Sequence, residues 1–215
     1  MNFHDTAGNL GTMPIDRFLD VLASSSPTPG GGGIAALAGA LSAGLISMVC
    51  NLTVGKEKYT AVQGEVQAIL AQSEQLRTRL HTLVDADAEA FGQIMDAYKM
   101  PKATDEEKRA RSARIQDATI AASKVPLEIA RECARVIELA GPAARTTNTQ
   151  AIGDVAMAAY LAEGALRGAV INIDINLRSV KDRDAADRLN EQAKALTEGL
   201  SEKVQKAVQD GLARL

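Results

Sequence analysis

At 215 residues the chain is sized for one domain, 1–215, and it holds no linker or low-complexity tract that would divide it. Its net charge of −3 and pI near 5.5 exclude the basic face that a nucleic-acid partner demands. It is 46% hydrophobic yet only 3% aromatic, with no Trp, so its core must be built from Ala, Leu, Val and Ile, a composition suited to closely packed helices rather than sheets.

Residues 1–13 are mixed and Gly-containing and read as a loose arm, with acids and Gly where a secretory signal would carry a basic and then an apolar region. Pro14 opens a short helix with Ile15, Phe18, Leu19 and Leu22 on one face. The next stretch organises the chain. Nothing between Asp20 and Lys56 is charged, although Asp, Glu, Lys and Arg make up 24% of the residues, so this segment must be hidden from water. Pro27 and Pro29 punctuate its entry, four glycines follow, and Ile34 to Thr53 is a helical run. Small residues recur every four positions, at Ala35, Gly39, Ala43 and Ser47 and at Ala36, Ala40 and Gly44, so neighbouring backbones can come close. The helix is expected to be central, with neighbours on every side. Its length would also span a bilayer. Against that, Ser42, Ser47, Asn51 and Thr53 dilute it, no basic cluster flanks it, and the later segments are amphipathic; no membrane is expected as a partner. The glycines at 30–33 have two readings: a concave anion site at a helix start, or room for another segment to pass. No P-loop lysine follows, which argues against a nucleotide phosphate.

Gly55 stops the run. A long amphipathic helix is predicted over about Thr60–Tyr98, its stripe reading Val62, Val66, Ile69, Leu76, Leu80, Leu83, Phe91, Ile94 and Tyr98. Between Leu83 and Phe91 the step of four lands on Asp87, whereas Asp85, Glu89 and Asp96 fall off the face as solvent residues. A carboxylate on a buried stripe loses hydration. It either answers a nearby lysine, caps a neighbouring helix, or faces a cavity as a general acid–base. Thr104 and Glu107 spell a capping box for the next helix, which Pro126 kinks or restarts and Gly141-Pro142 closes. After a polar loop at Thr146–Gln150, a helix over about Ala151–Leu177 sets Asp154, Ala158, Leu161, Ala165, Gly168, Asn172 and Asn176 on one face. Buried amides are locked to a backbone or wait for a ligand. Ala185 to Leu212 reads as one last amphipathic helix. Cys50 and Cys133 lie in apolar helical contexts and read as reduced core residues of a cytoplasmic protein. With His4 and His81 the only histidines and no Cys-x-x-Cys, no metal site is expected.

Several stretches carry a resemblance: SSPTPGGG at 25–32, SMVCNLTVGKEKY at 47–59, VDADAEAF at 84–91, PKATDEEK at 101–108, VPL at 125–127 and NIDINLRSVKD at 172–182. In these the chain resembles the cyclodeaminase and cyclohydrolase enzymes of folate metabolism: the cyclodeaminase half of formiminotransferase-cyclodeaminase and, more closely, the free-standing methenyltetrahydrofolate cyclohydrolases of bacteria. The resemblance implies an all-α, up-and-down bundle that forms a homodimer, with a folate cleft close to the dimer interface. It implies catalytic roles for Asp87 and Lys56. Substrate binding would fall to Gly30, Gly31, Gly32, Tyr59, Asp154, Asn172, Asn176 and Arg178, with Lys56, Arg178 or Lys181 holding the glutamate tail or pterin carbonyl. The folate is then substrate, and no cofactor is expected. Relatives often have Gly-Asn and Ser-Asp where this chain has Thr147-Asn148 and Gly153-Asp154. The reaction implied is hydrolysis of 5,10-methenyltetrahydrofolate. Ammonia release from a formimino group is the alternative, and a silent folate-binding or scaffolding dimer is the reading from another class.

Overall fold

The computed structural model describes residues 10–215 and shows them as all-α. The helices are α1 (Ile15–Leu22), α2 (Gly31–Asn51), α3 (Gln63–Lys99), α4 (Asp105–Thr146), α5 (Ile152–Leu177), α6 (Arg183–Ala195) and α7 (Leu200–Leu212). Helices α2 to α5 run up, down, up and down as one bundle, α7 packs on α4 and α5, and α6 lies across the same pair. One end of the bundle therefore gathers the start of α2, the second half of α3 and the end of α5, and the other gathers the opposite termini.

The alanine-rich pattern lets the helices sit close. A Cβ on Gly39 would lie 2.7 Å from Cys133 Sγ on α4 and 3.0 Å from Leu80 on α3, so only hydrogen fits there. Ala36, Ala43, Ile46, Val49 and Cys50 are fully enclosed, packing against Leu80, Val84, Ile129, Val136 and Leu166. Polar atoms inside are matched, as where Ser47 and Ser73 hydroxyls meet at 2.8 Å.

Helix α2 is not covered on every side as the sequence suggested. Leu41, Met48 and Leu52 stay exposed and Leu37 and Leu45 half-buried, a stripe along one face. Met157, Tyr160, Ile171 and Ile175 continue this apolar exposure on the antiparallel neighbour α5. By length and composition α2 could cross a membrane, but its buried face is committed to α3, α4 and α5.

Two other boundaries differ from expectation. Neither Pro126 nor Pro142 ends α4, which runs unbroken from its Thr104–Glu107 capping box through both. Each proline costs the helix a hydrogen bond, and burial of Pro126, Leu127, Ile129 and Ala130 around the first offsets it. The last predicted helix is two, because Gly199 takes φ 62°, the left-handed conformation that breaks a helix and favours glycine. Of the predicted arm, residues 1–9 lie outside the described residues. Leu10–Thr12 form a 3-10 turn tied to α3: Asp85 Oδ1 accepts from Leu10 N at 2.8 Å and Gly11 N at 3.3 Å, and His81 Nε2 lies 2.6 Å from the Gly11 carbonyl. Asp85 is thus a tether rather than a free solvent residue.

Candidate active site

A cleft of about 260 Å³ opens at the end of the bundle where α2 begins. The entry segment supplies Pro27, Thr28, Gly30, Gly31 and Gly32, α3 supplies Asp87, Ala90, Phe91 and Ile94, α4 supplies Ala122 and Pro126, and α5 supplies Asn172 and Asn176. Phe91, Ile94 and Pro126 make an apolar wall, and Asp87 with the two amides provides the polar groups. Apolar walls with a few placed polar atoms are how small-molecule sites are built.

Asp87 is the centre of this arrangement. A Cβ on Gly32 would fall 2.1 Å from Asp87 Oδ1 and 2.6 Å from its Cγ, so the carboxyl lies flat against the first turn of α2. The Gly33 N–H donates to it. Two readings left open by the sequence therefore merge: the glycines admit a close approach, and what approaches is an anion at a helix start. Among the described residues no salt bridge reaches Asp87. Burial raises its pKa above the ordinary carboxylate range, and the Gly33 hydrogen bond only partly opposes that. A partly desolvated, half-buried carboxyl without a cation can take up and release a proton.

The amides stand beside it. Asn172 Nδ2 donates to the Gly168 carbonyl at 2.9 Å and would lie 3.3 Å from a Cβ on Gly31, which fixes the amide and leaves Oδ1 as an acceptor. Among the described residues no hydrogen bond engages the Asn176 side chain. Thr28 is buried, and its Oγ1 has no protein partner among the described residues.

The structure thus gathers Gly30, Gly31, Gly32, Asp87, Asn172 and Asn176. It does not gather Lys56, Tyr59 and Asp154 with them within one chain. Helix α2 rises about 30 Å over its length, so Lys56 beyond its end is at the far end of the bundle. Asp154 precedes Asn172 by five turns and lies about 27 Å away, at the same far end. Tyr59 is buried there; its hydroxyl is 3.4 Å from both Asn148 Oδ1 and Thr149 N. Arg178 is exposed two residues beyond Asn176 and pairs with Asp174 at 2.8 Å, while Lys181 Nζ reaches Ser112 at 3.3 Å. Pro27, Thr28, Ala90, Phe91, Ile94, Ala122 and Pro126 were missed as lining. The stripe of α3 contained Phe91 and Ile94, but periodicity cannot tell a core face from a cleft wall.

The fold and this cleft define an all-α bundle with a small-molecule-sized site at one end. A family model described as formiminotransferase-cyclodeaminase matches residues 14–195, and the chain belongs to that family. It is 46% identical over 205 residues to a methenyltetrahydrofolate cyclohydrolase of Methylorubrum extorquens, covering 92% of this chain and 99% of that protein. It is 32% identical to the formimidoyltransferase-cyclodeaminase of Mus musculus over 77% of this chain, which is 30% of that longer protein. A solved structure described as formiminotetrahydrofolate cyclodeaminase from Thermotoga maritima superposes with a TM-score of 0.83 at 26% identity, covering 94% of this chain and 98% of that one.

Proposed function

We propose that the protein hydrolyses 5,10-methenyltetrahydrofolate to 10-formyltetrahydrofolate. The observation that carries this is the position of Asp87, a partly desolvated carboxyl without a cation, held on Gly32 between an apolar wall and two amides. The bridging carbon of the substrate shares a positive charge between N5 and N10, which a carboxylate attracts. Water attacks that carbon and gives one proton to Asp87. As the C–N5 bond breaks, Asp87 returns the proton to N5, and the hydroxyl proton leaves to solvent as the formyl C=O forms. One residue acting as base and then acid is worth on the order of 10²–10⁴ in rate. Asn172 and Asn176 hold the pterin, Phe91 and Ile94 cover its face, and the cleft's size leaves the glutamate tail outside, toward Arg178.

Identity of 46% to a cyclohydrolase along its whole length favours hydrolysis over deamination. The formiminotetrahydrofolate cyclodeaminase reading is kept by the likeness to the Thermotoga structure. The purified protein should bleach the methenyl chromophore and release no ammonia from formiminotetrahydrofolate; the reverse pattern would assign the deaminase.

The open apolar face supports a homodimer. Burying a Leu- or Ile-sized side chain gains about 1.5–3 kcal/mol, and α2 and α5 offer Leu41, Met48, Leu52, Met157, Tyr160, Ile171 and Ile175 on each copy. Burying them works against an association cost of roughly 4–15 kcal/mol. A two-fold axis across α2 would set the cleft of one copy beside the far end of the other, bringing Lys56, Tyr59 and Asp154 of the partner subunit toward Asp87. Mixing Asp87→Asn with Lys56→Met subunits should then restore activity that neither has alone, and a mixture as inactive as its parts would place Lys56 outside the site.

A further inference from the structure

Pro126 lines the cleft from inside helix α4, and the function above leaves its backbone chemistry unused. Proline has no N–H, so within α4 the carbonyl of Ala122, four residues earlier, loses the donor that a helix would give it. In a helix the carbonyl of residue i points along the axis toward residue i+4. Ala122 and Pro126 both line the cleft, which puts this freed acceptor at the cleft wall. Ala122 is 6% exposed, and its methyl group is too small to cover its own carbonyl. Side-chain hydroxyls of the same stretch are engaged elsewhere: Thr119 Oγ1 donates to Ile115 O at 2.7 Å and Ser123 Oγ to Thr119 O at 2.8 Å. A buried carbonyl left without a donor is costly, roughly 1–3 kcal/mol, which a ligand N–H would recover.

We propose that the Ala122 carbonyl, freed by Pro126, is a substrate-binding acceptor that takes an N–H of the reduced pterin ring. This rests on the folate reading. The ring's aminopyrimidine edge carries several N–H donors, which Asn172 Oδ1 on α5 can accept while Asp87 on α3 serves the N5 side of the same ring. Ala122 supplies the acceptor on α4, so the ring is gripped from three helices. The carbonyl acts in binding and orientation, not in proton transfer.

Pro126→Ala restores the N–H and lets Ala122 bond within its helix. Because the variant gains a helical hydrogen bond, it should fold as well as the parent or better. KM for 5,10-methenyltetrahydrofolate should rise about fivefold to tenfold with kcat within about twofold. Pro142→Ala in the same helix frees no cleft carbonyl, since its partner is exposed Glu138, and should leave both constants unchanged. A direct readout is available because Ala-Ser occurs only at Ala23-Ser24 and Ala122-Ser123. Carbonyl-13C alanine with 15N serine then leaves two resonances; the one that Ala23→Gly removes is set aside, and the other, from Ala122, should move on saturation with 5-formyltetrahydrofolate, a reduced folate keeping the ring N–H groups. In Pro126→Ala it should not move. An unchanged KM, a fall of kcat and Tm together, or a silent Ala122 resonance in the parent overturns the proposal while turnover by the parent keeps the folate reading intact. A parent that neither binds nor turns over folates removes the reading, and this assignment with it.

Discussion

The two ends of the bundle treat their polar groups differently. At the far end Thr53 Oγ1 donates to Val49 O at 2.7 Å and accepts from Asn148 N at 2.9 Å, and Gln63 bonds the carbonyls of Thr53 and Tyr59 at 3.3 and 3.2 Å. Thr53, Tyr59, Gln63 and Asn148 answer one another in the same chain, while the side chains of Lys56 and Asp154 at that end make no such bond among the described residues. At the cleft end Asp87 has one backbone donor and no cation, Asn172 keeps a free acceptor, and Asn176 is unengaged among the described residues. Polar residues that close on one another fasten loops, whereas half-buried polar residues left with open valences await something from outside.

The sharpest test of this contrast is Asp87→Asn, which keeps the shape and removes the proton acceptor. kcat should fall at least about a hundredfold with circular dichroism unchanged. The pH profile adds a sign. Activity needs the ionised carboxyl, so the acid limb of kcat/KM should lie above the ordinary carboxylate range, since burial raises this pKa. For stability the direction is opposite: the folded state holds the proton more tightly than the unfolded one, so the group's contribution declines as pH rises between the unfolded and folded values. Asp87→Asn should therefore lose that decline, and a denaturation series across pH would show it.

Gly32→Ala comes next. Its methyl group would need the space of the carboxyl, 2.1 Å from Oδ1, and displacing Asp87 should cost more than tenfold in kcat, with a smaller change in Tm. At the far end the effect should reverse. Thr53→Val strands Asn148 N and should lower stability by about 1–2 kcal/mol in urea, leaving kcat within about twofold. A variant that kept its stability but lost turnover would break the contrast between the ends. Smallest is Arg178→Ala. Its ion pair with Asp174 is exposed on both sides and worth under about 1 kcal/mol, so Tm should hardly move. A higher KM confined to polyglutamylated substrate would assign Arg178 to the tail.

The parts of this picture legible in the sequence are those that local chemistry dictates. Periodicity located the long helices, Thr104 and Glu107 marked the start of α4, and the step landing on Asp87 flagged an acid where an apolar residue was due. What escaped depended on partners distant along the chain. Asp85 lies off the apolar stripe, and only the fold shows Leu10 and Gly11 arriving beside it from 75 and 74 residues away. Pro126 carried a strong local signal to break a helix, and tertiary packing overrode it. The sequence placed Lys56 and Asp87 in one site through motif resemblance, but a rigid helix of about 30 Å separates them within a single chain.

Cys50 and Cys133 are enclosed in the core, and burial pushes both thiols up to about 12. At neutral pH neither presents the thiolate that alkylating and oxidising reagents require. The molecule is thus chemically silent toward such reagents, so an added cysteine would report alone. Leu41 sits at the midpoint of Gly31–Asn51 and is 57% exposed. An axis crossing α2 there carries residue 41 toward its own copy, and a disulfide needs Cα atoms about 4.4–6.8 Å apart. Leu41→Cys should therefore oxidise to a covalent dimer on a non-reducing gel, and a band that stays monomeric would move the axis away from the middle of α2.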